Sequence, residues 1–163
     1  MKRRITKLLS LCLMACLMLT ACGGTTKTTE FSCDGLTMTV PADYRQMTGE
    51  EVQAYTFALT NNKTILMGLR EEKAIFRSFG MELTLDDYMQ IIREANQQEM
   101  TVDTYNGQYM IKFESVVEGN RFKYLASVYE SEDAFWLIQF GCPESDFEDF
   151  RGDFFEQLLS VKP

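Results

Sequence analysis

Hydrophobic and polar residues alternate with a period of two along three segments in the second half of the chain. These segments are Tyr109–Val117, Arg121–Tyr129 and Ala134–Phe140. A period of two is typical of strands whose two faces differ in burial. Short polar stretches separate the segments, and such stretches usually join neighbouring antiparallel strands. The pattern therefore predicts a three-stranded antiparallel meander.

Two earlier pairs of apolar segments predict β-hairpins. The first pairs Phe31–Cys33 with Leu36–Val40 across an Asp-Gly dipeptide, which favours a tight turn. The second pairs Val52–Thr60 with Thr64–Glu72 across an Asn-Asn-Lys turn. Residues 73–83, which follow, show no clear period, and we interpret them as a loop or as the end of a strand.

Two other segments have the period of a helix. Thr84–Gln98 starts with a residue that can cap a helix, continues with two aspartates, and repeats its apolar residues at helical spacing. Pro143–Lys162 places Phe147, Phe154 and Leu158 on one helical face. The element order is therefore hairpin, hairpin, helix, meander, helix. It predicts an α+β fold in which helices pack on an antiparallel β-sheet.

The first 21 residues have the pattern of an export signal. A basic head without acidic residues precedes the apolar run Leu8–Leu19. As a helix this run would span about 18 Å, well short of the roughly 30 Å hydrocarbon core of a bilayer. A basic head, a short apolar middle and small residues at the end predict a signal peptide at residues 1–21.

The signal ends in Leu-Thr-Ala-Cys at residues 19–22, which resembles the lipobox of bacterial lipoproteins. The resemblance implies that the Cys22 sulfur receives a diacylglycerol and that cleavage leaves Cys22 as the first mature residue. Two acyl chains give stable anchoring, whereas one chain binds reversibly. The alternative is that Cys22 is an ordinary signal-peptide residue. The small polar residues 22–30 predict a flexible spacer, followed by a single domain at residues 31–163.

The layout of this domain resembles the PsbP-like fold. The resemblance rests on an opening hairpin that ends in Gly-Leu-Thr-Met-Thr-Val-Pro-Ala-Asp-Tyr at residues 35–44, a middle helix before a meander, and a final helix that ends in Leu-Leu-Ser-Val-Lys at residues 158–162. Extrinsic photosystem proteins, a nuclear-import regulator that binds a small GTPase and DcrB-like envelope proteins share this fold. The resemblance implies an α/β/α sandwich and a non-catalytic accessory role. A two-layer α+β arrangement is the structural alternative.

The charge of the mature chain limits its partners. Without residues 1–21 the chain has 12 basic and 24 acidic residues, a net charge of −12. Nucleic acid would be repelled by this charge, and so would a broad anionic lipid surface. We therefore expect the membrane contact to be the diacylglycerol on Cys22. The acidity also serves solubility.

Two cysteines remain in the mature domain after Cys22, namely Cys33 and Cys142. An even pair in an exported protein suggests a disulfide, and two separate buried thiols are the alternative. Cys142 precedes a predicted helix, where a thiol can become nucleophilic, but the acidic residues that follow it oppose a thiolate.

The sequence offers little catalytic or metal-binding chemistry. It has no histidine, which excludes Ser-His-Asp and Cys-His schemes and imidazole metal sites. The acidic residues between Glu144 and Asp153 lack the pattern of a calcium loop, and acids at a helix start are favoured by the dipole alone. We therefore expect no enzyme, no cofactor and no metal site.

These observations predict a lipid-anchored module on the extracytoplasmic face of the cell membrane. Its expected role is accessory and non-catalytic, with an unidentified envelope protein as partner, and such a role predicts an exposed apolar patch. The alternative is a lipoprotein that binds a small solute for uptake, which predicts a pocket of at least roughly 300 Å³ with converging polar groups.

Overall fold

Nine strands and three helices form in residues 27–96 and 99–163, the part of the chain that the computed structural model describes. The strands are β1 (Thr28–Cys33), β2 (Leu36–Pro41), β3 (Arg45–Gln46), β4 (Phe57–Thr60), β5 (Ile65–Glu72), β6 (Thr101–Tyr105), β7 (Gln108–Val117), β8 (Asn120–Glu130) and β9 (Ala134–Pro143). The helices are α1 (Lys73–Ser78), α2 (Leu85–Ala95) and α3 (Phe147–Leu159), and short 3-10 turns occur at Glu50–Val52 and Glu144–Asp146.

Seven of the strands form one antiparallel sheet in the order β3-β4-β5-β9-β8-β7-β6. Strands β1 and β2 form a separate hairpin. The predicted meander is confirmed as β7-β8-β9. Strand β9 lies in the middle of the sheet and pairs with both β5 and β8, so both of its edges are hydrogen-bonded.

One face of the sheet, here called the α3 face, packs against helix α3 and the β1–β2 hairpin. Its side chains on β9 are Trp136, Ile138, Phe140 and Cys142, all fully buried. Phe154 of α3 stacks on Phe140 with ring centroids 5.1 Å apart. Backbone hydrogen bonds between Thr37 and Lys162, 2.9 and 2.8 Å long, tie the hairpin to the segment after α3. The hairpin is therefore part of the α3 layer.

The opposite face, here called the α2 face, packs against helix α2. Tyr88 of α2 stacks on Phe135 of β9 with ring centroids 4.7 Å apart and an interplanar angle of 10°. Ile92 of α2 belongs to the same buried cluster as Ile111 and Ala126 of the sheet. Helices therefore cover both faces, and the expected α/β/α sandwich is confirmed in preference to the two-layer arrangement.

Helix α2 begins where the sequence predicts because Thr84 and Asp87 form a capping box. The Thr84 hydroxyl accepts from the Asp87 N–H at 3.2 Å, and the Asp87 carboxylate accepts from the Thr84 N–H at 2.9 Å. Both bonds satisfy donors that a helix start leaves open. The Thr84 hydroxyl also donates to the Asp87 carboxylate at 2.7 Å, and this bond, followed by the one from the Thr84 N–H, lowers the pKa of Asp87.

Several predicted boundaries are wrong. The segment predicted as a strand from Val52 is extended only from Phe57, because residues 50–52 form a 3-10 turn. Residues 73–78, interpreted as loop or strand end, form helix α1 because Phe76 packs edge-on against Tyr88 and Phe135. The short edge strands β3 and β6 were not predicted, since neither has an apolar alternation.

The predicted spacer is also too long. Strand β1 starts at Thr28 and pairs residue by residue with β2 as far as Thr28 opposite Pro41, so residues 28–30 belong to the folded domain. Residues 1–26, which include the predicted signal peptide, Cys22 and the start of the spacer, lie outside the described residues. Within the described ranges no helix is long and apolar enough to cross a bilayer.

Candidate functional site

The main candidate site is a cleft on the α2 face, between helix α2 and Tyr55, with a volume of about 530 Å³. It is here called the α2 cleft. Most of its lining is apolar: Tyr55, Met67, Leu69, Ile91, Ile92, Ala95, Met100, Ile111, Phe113, Val117, Tyr124, Ala126 and Leu137. An apolar concavity of this size is typical of small-molecule sites.

A small residue, Ala126, and an aromatic pair, Tyr124 and Phe113, shape part of the α2 cleft. Ala126 lies fully buried on β8, and Gly141 on β9 lies opposite Tyr124. The Tyr124 ring covers Gly141 and stacks on Phe113, with centroids 4.7 Å apart and an interplanar angle of 3°. Burial raises the pKa of Tyr124, so its hydroxyl is neutral at physiological pH. The aromatic pair therefore ends the cleft with a rigid wall.

Two polar side chains in this lining, Gln139 and Glu71, are the candidates for contact with a ligand. Gln139 of β9 is only 8% exposed and faces the α2 cleft, and its carboxamide makes no hydrogen bond within residues 27–96 and 99–163. Glu71 of β5 lies further along the floor, and its Oε2 accepts from the Tyr88 hydroxyl at 2.7 Å. Burial and this bond to Glu71 raise the pKa of Tyr88. Glu71 is the one charged residue among the described residues that line the cleft.

A second concavity of about 590 Å³ has a different chemistry. Its charged lining includes Glu114 and Lys123, which belong to an ion-pair network with Arg121 and Glu144 at 2.7 to 3.3 Å. These charges are paired with one another and partly or largely exposed to solvent, and ion pairs of this kind contribute little free energy. Though larger, this concavity is a weaker candidate than the α2 cleft.

An exposed apolar patch lies on and just after helix α1. Ile75 is 54% exposed, Phe79 75% and Met81 40%. We call these three residues the α1 patch. Large apolar side chains this exposed and this close in sequence mark contact surfaces more often than isolated ones do. The sequence predicted such a patch without locating it.

The described chain begins at the opposite end of the sheet from the α1 patch. The Lys27 carbonyl accepts from the Ala42 N–H at 2.8 Å, and the Tyr44 hydroxyl bonds the Thr64 hydroxyl at 2.6 Å. Thr64 directly precedes β5, and α1 directly follows it. Strand β5 has eight residues and so spans about 25 Å between these ends.

The two candidate cysteines lie in or against the hydrophobic cluster of the α3 face. Cys142 is buried in that cluster, and Cys33 is partly buried at its margin. The structure has both as free thiols, so the disulfide that the sequence left open is not formed in it. Burial, followed by the Asp146 carboxylate, raises the pKa of Cys142 to about 11. Burial and Asp34 raise the pKa of Cys33. Neither thiol is therefore activated as a nucleophile.

The acidic residues considered for metal binding do not converge. Glu144 pairs with Arg121 and Lys123, and Glu148 pairs with Arg151. Across the described ranges, no group of three or more acidic or cysteine side chains is arranged to hold a metal ion. Trp136, predicted to be in the core, is fully buried on the α3 face.

Comparison with known proteins identifies the fold. The solution structure of cyanobacterial PsbP (CyanoP) from Synechocystis sp. PCC 6803 superposes with a TM-score of 0.59 and 16% sequence identity, covering 89% of this chain and 98% of that one. The chain has the PsbP-like fold. This agrees with the resemblance in element order, and at this identity the likeness concerns the fold alone.

Other comparisons add little. The crystal structure of LpqN, involved in cell envelope biogenesis of Mycobacterium tuberculosis, matches with a TM-score of 0.45 and 9% identity, over 83% of this chain and 90% of that one. A score this low supports no inference. No protein-family model matches the chain, and no curated protein is significantly similar to it in sequence.

Sequence reasoning missed the residues of the α2 cleft. Gln139 and Glu71 each stand in an alternating strand, where a polar residue normally points to solvent. A polar residue in a strand that is otherwise apolar on both faces is the sequence signal that could indicate such a site. Of the two residues, only Gln139 clearly shows it. The two come onto one floor because β5 pairs with β9.

Proposed function

We propose that this protein is a non-catalytic accessory module, anchored by a diacylglycerol on Cys22 to the extracytoplasmic face of the cell membrane. The leader, the lipobox-like segment and the PsbP-like fold support this proposal. The absence of histidine and the raised pKa of Cys142 support a role without catalysis.

The main observation in support of the proposal is the position of the α1 patch relative to Lys27, the first described residue. Lys27 is five positions after Cys22, and a chain of that length reaches at most roughly 18 Å. The α1 patch lies at the far end of β5, about 25 Å further on. An anchored domain can therefore extend Ile75, Phe79 and Met81 away from the bilayer, where we expect a protein partner to contact them.

Photo-crosslinking in intact cells tests this role. A photoreactive amino acid is introduced at Met81 in the full-length protein, and at exposed Lys63 near the start of β5 as the matched control. We expect one discrete protein adduct from position 81 and none from position 63. The adduct should disappear in an Ile75→Ser/Phe79→Ser variant. Equal adducts from both positions, or an adduct that survives the double substitution, would contradict the proposal.

The anchor has its own test. A Cys22→Ser variant should be released from the membrane fraction, whereas Cys33→Ser should remain bound. If Cys22→Ser stays as tightly bound as the parent, lipidation of Cys22 is not the anchor.

A second candidate function is the binding of a small solute for uptake. The observation that favours it is the α2 cleft, whose 530 Å³ exceeds the roughly 300 Å³ at which ligand pockets begin. Its lining combines apolar residues with the polar groups of Gln139 and Glu71.

A further inference from the structure

We infer that the α2 cleft binds an amine with an extended apolar body, whose ammonium group meets the Glu71 carboxylate. This inference deepens the second candidate function, solute binding, and is independent of the anchor on Cys22 and of the α1 patch.

The length of the floor sets the size of the ligand. Met67 of β5 lies opposite Gln139, and Leu69 lies opposite Leu137. Glu71 follows on the same face of β5, four residues beyond Met67, which corresponds to about 13 Å. The residues between the two polar groups are apolar. A ligand of about that length can therefore contact Glu71 at one end and lie along Leu69 and Met67.

The charge of the lining sets the sign of the ligand. Glu71 is charged, and none of the other described residues that line the α2 cleft is acidic or basic. A carboxylate or phosphate in this cleft would have no counter-charge and would face Glu71, which is costly in a partly desolvated site. An ammonium group gains a charge-assisted hydrogen bond instead. The net charge of −12 on the mature chain also attracts cations.

Glu71 has the capacity for this contact. Its Oε2 accepts from the Tyr88 hydroxyl, which orients the carboxylate, and an ionised carboxylate has further acceptor positions. Arg70 and Glu72, the neighbours in sequence, point to the α3 face and pair with each other at 3.2 Å. No described basic side chain forms an ion pair with Glu71.

Gln139 provides the second, independent sign of a ligand. Its side chain is more than nine-tenths buried, and within the described chain its carboxamide lacks a hydrogen-bond partner. The carboxamide faces the α2 cleft and is not among the fully buried unpaired polar atoms of the described residues, so it is open to a polar atom of a ligand. A carboxamide both donates and accepts, and it suits a polar atom near the middle or far end of the ligand.

Titration calorimetry with three matched probes tests the inference. The probes are 4-phenylbutylamine, 4-phenylbutan-1-ol and 4-phenylbutanoate, which share one apolar body and differ in charge. The protein is the leader-free chain with Cys22→Ser, because both sheets and all three hydrophobic clusters form within the described residues after Cys22. We expect the amine to bind at least about tenfold more tightly than the alcohol, and the carboxylate to show no heat of binding.

A pair of variants locates the contact. Glu71→Gln should weaken amine binding about tenfold and leave alcohol binding unchanged, since a glutamine can still accept from Tyr88. Glu72→Gln makes the same charge change on the other face and should alter neither. Unchanged alcohol binding also shows that the Glu71→Gln variant is folded.

Three results would overturn the inference: equal binding of amine and alcohol, equal effects of the Glu71 and Glu72 substitutions, or no binding by any probe. None of these results affects the anchoring and crosslinking tests, so the two proposals fail separately.

Discussion

The Tyr124 ring lies so close over Gly141 of the neighbouring strand that no side chain fits there. A Cβ at position 141 would lie 2.5 Å from Tyr124 Cε1 and 3.2 Å from Ile65 Cγ1. Tyr124 cannot easily move away, because its other face stacks on Phe113. The glycine therefore allows the aromatic pair to lie flat at one end of the α2 cleft.

Substitution of this glycine should destabilise the fold. Gly141→Ala forces Tyr124 or the strand to shift, and overpacking of this kind costs about 1–3 kcal/mol. The free energy of unfolding in urea measures the effect. Gly152→Ala is the matched control: its Cβ would meet nothing within 4 Å, and alanine favours helix α3 by up to about 1 kcal/mol. The two substitutions should therefore change stability in opposite directions, and a loss below 0.5 kcal/mol for Gly141→Ala, roughly the range of a neutral surface change, would argue against the clash.

Loss of the capping box should weaken helix α2. Thr84→Ala removes the hydroxyl that accepts from the Asp87 N–H, and the expected cost is about 1 kcal/mol. Thr48→Ala, at an exposed loop position, should stay within about 0.5 kcal/mol of the parent. Urea unfolding followed by circular dichroism compares the variants, and equal stabilities would show that the cap contributes nothing.

Stability should decline at alkaline pH. Burial is the main cause that raises the pKa of Tyr44 to about 12 from 10.0, and of Cys142 to about 11 from 9.0. A raised pKa in the folded state means that folding favours the protonated form. The contribution of such a group to the free energy of unfolding is complete below its pKa in the unfolded state. It is lost as the pH rises through its pKa in the folded state. The free energy of unfolding should therefore fall between about pH 9 and 12.

Tyr44→Phe isolates the tyrosine contribution to this decline. Phenylalanine cannot ionise, so the variant should lose less stability than the parent between about pH 10 and 12. Below pH 9 it should be less stable than the parent, because the Thr64 hydroxyl loses its bond to Tyr44 and keeps only the one to Asn61. Identical pH profiles for parent and variant would mean that Tyr44 does not titrate in this window.

The two thiols should differ in accessibility. Cys33 is partly exposed on β1, whereas Cys142 is buried on β9. In the folded leader-free protein with Cys22→Ser, maleimide should modify Cys33 first and reach Cys142 only after unfolding. Mass spectrometry of the digested protein assigns the site. If neither cysteine reacts until a reductant is added, the exported protein carries the disulfide.

The sequence alone determined those features of this protein that depend on interactions between residues close together in the chain. The period of two predicted the meander, Thr84 predicted the start of α2, and the apolar face of residues 147–161 predicted helix α3, because each depends on neighbours within a few positions. The basic head, short apolar run and Cys22 predicted a signal and an anchor for the same reason. The order of strands and helices was sufficient to predict the PsbP-like fold.

Only the tertiary structure decided the candidate sites. Glu71 and Gln139 share one floor because β5 pairs with β9, a contact between residues far apart in the chain. Helix α1 forms because Phe76 packs on Tyr88 and Phe135, and this leaves Ile75 and Phe79 exposed. A sequence pattern indicates which residues prefer burial. Whether a cleft or an exposed patch forms depends on which elements, distant in the chain, pack against one another.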